Sequence, residues 1–64
     1  MRIKEVRESI SMTQKELAER SRITPAYLCD LENGKRCNPS IQVLVRIAEA
    51  LRVPINELIE RRAG

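Results

Sequence analysis

Three hydroxyl residues punctuate this chain. Thr13, Thr24 and Ser40 each stand just ahead of a stretch in which apolar residues recur at helical spacing, where a side-chain oxygen can accept from the orphan N–H groups of a first helical turn. Thr13 is followed three residues later by Glu16, the form of a capping box. Thr24 is followed by Pro25, whose missing N–H matters least at a first helical position. The stop signals are as close together: Asn33-Gly34 tolerates the left-handed backbone that closes a helix, and Val53-Pro54 cannot continue one. A chain marked this densely can build only short helices, and no stretch has the period-two alternation of a strand.

Between the marks, Ile3, Val6 and Ile10 set a first helix within Met1–Ile10. A second runs from about Gln14 to Ser21, and a third from Pro25 to about Glu32 with Leu28 and Leu31 inward. A fourth begins after Ser40 and commits Ile41, Leu44, Val45, Ala48 and Leu51 to packing. Ile55, Leu58 and Ile59 mark a short fifth helix. The expected fold is all-α, a compact five-helix bundle with short connections.

Sixty-four residues hold one small domain. A core of this size supplies about 3–5 kcal/mol, so a second copy is a natural stabiliser. The apolar material near the end, Val53, Ile55, Leu58 and Ile59, is the expected homodimer surface; the competing reading has Leu58 and one isoleucine closing the monomer core. No apolar run approaches the roughly 20 residues of a membrane span, and the first ten residues lack an apolar signal core. The expectation is a cytoplasmic protein without a membrane partner.

Cys29 and Cys37 are the only thiols and there is no histidine, too few ligands for a structural zinc. No metal, no cofactor and no small-molecule ligand is expected. A missing histidine, two glycines and little chain left for a pocket also argue against an enzyme. The formal charge of +3 points toward a polyanion.

The segment 13–35 sets two helices of about eight residues around a three-residue turn, a spacing that suits a helix-turn-helix or any helical hairpin. Ala18 is small enough for a close crossing, with Leu17, Ile23 and Leu28 around it. The residues then add a sharper signal. Met12-Thr13-Gln14-Lys15-Glu16-Leu17-Ala18, Ile23-Thr24, Leu31-Glu32-Asn33-Gly34-Lys35-Arg36, Asn38-Pro39-Ser40 and Leu51-Arg52-Val53, at their mutual distances, resemble the Cro/repressor helix-turn-helix family, also called the XRE family.

The resemblance implies a lambda-repressor-like DNA-binding domain spanning 1–64, with no room left for a ligand-sensing domain. It implies a transcriptional regulator, a repressor by type, bound to double-stranded DNA as a homodimer on a pseudo-palindromic operator, its recognition helices about 34–36 Å apart. Thr13 and Gln14 would meet phosphate at the start of the second helix, and Asn33, Lys35 and Arg36 would meet it beyond the third. The third helix would enter the major groove with Pro25, Ala26, Tyr27 and Asp30 at base edges. Pro25 and Ala26 replace the longer amide or basic side chains of many relatives, so hydrogen-bond readout is thin. Relatives often pair an arginine of the first helix with the glutamate before the Asn-Gly stop, here Arg7 and Glu32. Arg22 stands where a glycine is frequent, and a positive φ there would cost roughly 1–2 kcal/mol. The competing functional reading is a protein-binding module, such as an antitoxin or anti-repressor partner, using the same helical surface.

Overall fold

Each hydroxyl start signal is used as a cap. In the computed structural model, which describes residues 2–35 and 39–59, the helices are α1 (Ile3–Ser9), α2 (Gln14–Ser21), α3 (Pro25–Glu32) and α4 (Ile41–Leu51). Thr13 Oγ1 accepts from Glu16 N at 3.0 Å. The Glu16 carboxylate accepts in return from Thr13 N at 3.0 Å, completing the capping box. Thr24 Oγ1 accepts from Tyr27 N at 3.1 Å, and Ser40 Oγ from Val43 N at 3.2 Å.

The five-helix expectation is corrected to four α-helices and one 3-10 turn, Ile55–Glu57, with no strand among the described residues. Glu57 N bonds Pro54 O at 2.9 Å and Leu58 N bonds Ile55 O at 3.0 Å. Both are i to i−3 bonds, and a segment this short after Pro54 has no room for the wider α repeat.

All four helices end alike. Ser11, Arg22, Gly34 and Arg52 adopt φ of 59°, 61°, 78° and 60°, and each donates its N–H three residues back while the next residue donates five back. The pairs are Ser11 to Glu8 and Met12 to Arg7, Arg22 to Glu19 and Ile23 to Ala18, Gly34 to Leu31 and Lys35 to Asp30, and Arg52 to Glu49 and Val53 to Ala48. This is the Schellman arrangement, which satisfies the last carbonyls and turns the chain sharply. Met12, Ile23 and Val53, each following a left-handed residue, pack against the core. Lys35 follows Gly34 and is exposed.

The core joins Ile3 and Val6 of α1, Leu17 and Ala18 of α2, Leu28 and Leu31 of α3, Ile47, Ala48 and Leu51 of α4, and Leu58. Ala18, fully buried, lets α2 lie close to its neighbours. Three sequence expectations are revised. Ile10 lies beyond the end of α1 and is 47% exposed. Ile41 and Val45, expected to pack, are 68% and 39% exposed, because α4 carries more apolar residues than the stripe of about 100° that a core can cover. Leu58, expected on a dimer surface, is fully buried, and its carbonyl accepts from Arg2 N at 2.8 Å. Its side chain closes the monomer core, as the competing reading of that segment had it.

Two stability outcomes follow from these terminations. Ser11→Gly and Arg52→Gly each relieve a left-handed L-residue, a gain of about 0.5–1 kcal/mol after the extra freedom of glycine in the unfolded chain is deducted; thermal unfolding of each variant measures it, and a fall in Tm contradicts it. Ser21 is fully buried in α2 with its hydroxyl unpartnered. Ser21→Ala removes an unsatisfied polar atom and should leave stability equal or higher in denaturant titration.

Candidate nucleic-acid interface

The candidate interface is organised by one carboxylate. Glu32, the last residue of α3, has a side chain only 1% exposed. It accepts from Arg7 Nε at 2.7 Å and Arg7 Nη2 at 3.1 Å, the paired fork expected from the resemblance. Gln14 Nε2 adds a third bond at 2.9 Å to the same carboxylate. Arg7 Nη1 also donates to Met12 O at 2.8 Å. Arg7 on α1, the link to α2, the first residue of α2 and the last of α3 are thus fastened at one point. The hydrogen bond to Glu32 holds the Arg7 guanidinium above its ordinary pKa, outweighing its partial burial.

Around this point lie the residues expected to meet phosphate. Thr13 is exposed and fixed by its cap. Gln14 is half-buried, and one amide N–H goes to Glu32; a primary amide has a second donor and an acceptor oxygen to offer. Asn33 and Lys35 are exposed where α3 exits. The Asn33 amide donates to Cys29 Sγ at 3.2 Å, and Lys35 N is anchored to Asp30 O at 2.8 Å. Gly34 between them has φ of 78° and open space around any added Cβ, so conformation, not room, calls for glycine. Arg36, also expected at phosphate, lies outside the described residues, as does Cys37.

At the other end of α3, Pro25 and Ala26 are exposed. Tyr27 is half-buried and packs against the core, and Asp30 is half-buried with bonding of its own. The four residues expected at base edges therefore divide into two small exposed ones and two partly held by the protein. Of the remaining residues expected on a dimer surface, Val53 and Ile55 are partly buried against the core and Ile59 is 43% exposed.

Sequence reasoning missed the Gln14 bond to Glu32, because its partner lies 18 residues away. The signal was present only as the two ends of the motif. Among the described residues, no helix is long and apolar enough to cross a membrane.

Comparison with known proteins places this geometry. A helix-turn-helix family model matches residues 3–58. The chain is 36% identical over 58 residues to the immunity repressor protein of Bacillus phage phi105, covering 91% of this chain and 40% of that protein. It is 33% identical over 61 residues to the HTH-type transcriptional regulator SinR of Bacillus subtilis, covering 95% of this chain and 55% of SinR. The chain thus spans about half the length of these relatives. The solved N-terminal DNA binding domain of SinR superposes with a TM-score of 0.86 at 32% identity, over 98% of this chain and 91% of that one. The restriction-modification controller protein C.AhdI from Aeromonas hydrophila gives 0.85 at 31%, over 91% and 86%.

Removing one partner of the buried cluster leaves uncompensated charge. Glu32→Ala should lose about 3–5 kcal/mol, most of the stability of a domain this small, in denaturant titration; a loss below 1 kcal/mol contradicts the central role of the carboxylate. A second outcome concerns acid. The Thr13 backbone N–H, then its hydroxyl, then the Arg20 charge hold the exposed Glu16 carboxyl below its ordinary pKa. A depressed acid contributes stability fully above the unfolded value of about 4.3 and loses it as pH falls through the folded value. Glu16→Gln should therefore show a shallower loss of Tm than the wild type on acidification from about pH 5 to about pH 3.

Proposed function

The chain belongs to the Cro/repressor, or XRE, type of the helix-turn-helix family, and on that premise we propose that it binds double-stranded DNA sequence-specifically as a transcriptional repressor. In this reading 1–64 acts as one DNA-binding domain, as a homodimer on a pseudo-palindromic operator. The observation that carries the reading is the Gln14–Glu32 bond of 2.9 Å, which clasps the start of α2 to the end of α3. With the two fixed together, Thr13 and Gln14 on one side and Asn33 and Lys35 on the other can grip phosphates and hold α3 in the major groove.

Within the groove, Pro25 and Ala26 would contact thymine methyl groups, Tyr27 would reach an edge or a phosphate through its hydroxyl, and Asp30 would accept from a cytosine amine. Specificity would then lean on shape and apolar fit more than on bidentate hydrogen bonds. The dimer surface is proposed around Val53, Ile55 and Ile59, with buried Leu58 beneath it as support.

A second reading, a protein-binding module such as an antitoxin or anti-repressor partner, draws support from α3 itself. From Pro25 to Glu32 it has no Arg, Lys, Asn or Gln. Salt dependence separates the two. Phosphate contacts make log K fall with log salt by about 0.9 per phosphate neutralised. Lys35→Ala should weaken binding to every duplex alike and flatten that slope by about one contact. Gln14→Ala should weaken binding too, and by more than one contact's worth, since it also loosens Glu32. Fluorescence anisotropy at several salt concentrations makes the measurement; unchanged duplex affinity in both variants overturns the assignment.

A further inference from the structure

At the far end of α2 from Thr13 and Gln14, a cleft of about 360 Å3 opens against the C-terminal half of α4, lined by Arg20, Arg22, Arg46, Glu49 and Ala50. Three arginines line it with one glutamate. The ion pairs among the described residues are Arg2 with Glu5, and Arg7 with Glu8 and with Glu32, so Glu49 pairs with none of the three. Arg46 Nε is buried and has no hydrogen-bond partner. Buried polar atoms in folded proteins are as a rule satisfied, and one that is not calls for an explanation. Arg22, the left-handed residue that closes α2, lines the same cleft.

We propose that this cleft is a docking site for a carboxylate of an acidic segment on a protein partner, separate from the DNA-binding surface. The guanidinium fork matches a planar carboxylate through two parallel N–H bonds. An incoming carboxylate supplies an acceptor to the Arg46 guanidinium, whose Nε has none. Arg46 is half-buried, so a pairing with it is screened less by salt and water than one on an open surface, while Arg20 and Arg22 are exposed beside it. A side-chain carboxylate is favoured over a duplex phosphate row for two reasons. A recess between two helices admits a side chain more readily than a continuous backbone, and a flexible acidic segment can pass one carboxylate by Glu49 where a rigid duplex cannot bend its phosphate row.

The test uses the full chain and an acetylated, amidated octaglutamate peptide in phosphate-free buffer, followed by NMR on the arginine Nε–Hε signals. The proposal predicts saturable shifts concentrated on Arg20, Arg22 and Arg46. Arg22→Gly removes one guanidinium and relieves the left-handed residue, so the fold is retained; it should weaken the peptide at least fivefold. Lys4→Gln, an equal change of charge on exposed α1, should weaken it less than twofold. Duplex affinity of Arg22→Gly should stay within twofold of the wild type. Absence of saturation, equal weakening by Lys4→Gln, or a fivefold loss of duplex affinity in Arg22→Gly overturns the proposal, the last by making the cleft a phosphate contact.

Discussion

A carboxylate with 1% of its surface exposed cannot stand in a protein without partners, and the arrangement of this fold follows from how Glu32 finds them. Two bonds come from Arg7 of α1 and a third from Gln14 at the start of α2. The apolar core brings the helices together but is tolerant of small rotations, because packing is non-directional. Charged hydrogen bonds are directional. They fix the angle at which α3 leaves the body and the position of Gln14 beside it, the geometry on which the proposed groove-reading role depends.

The second constraint is the brevity of the elements. Helices of seven to eleven residues are marginal by themselves, so each depends on its ends as much as on its propensity. Three have side-chain caps at the start and all four close by the same left-handed turn. In three of the four, that turn drops the following apolar residue into the core, so chain reversal and core formation are one event. At Gly34 the turn instead delivers Lys35 to the surface beside Asn33. The one termination made with glycine is the one that faces outward, where no core contact offsets the strain of a left-handed L-residue.

Much of this was legible in the sequence wherever the chemistry is local. Thr13, Thr24 and Ser40 cap as their residue types and spacing require, and Gly34 closes α3 as Asn-Gly announces. Ser11 and Arg52 gave no such sign, because neither residue type favours a positive φ; tertiary packing of Met12 and Val53 imposes it. At Arg22 only the glycine usual in the family points to a left-handed residue. The apolar pattern of α4 does not tell which of its many aliphatic residues has a neighbour, and by pattern alone Ile41 and Val45 read as core although they are exposed. Leu58 was ambiguous for the same reason, since an apolar residue near a chain end reads equally as core or interface. In the candidate site, Arg7 with Glu32 came from the resemblance, while the long-range bond that makes Gln14 a member of that cluster depends on how two distant segments cross.

The proposed function depends on the clasped helix pair being a two-fold DNA reader. Selection of bound duplexes from a random pool tests it most directly. It predicts an enriched motif with two-fold symmetry and half-sites about one helical turn apart, 10–10.5 base pairs centre to centre. A pool that yields no enriched sequence, or only a single unpaired half-site, contradicts it.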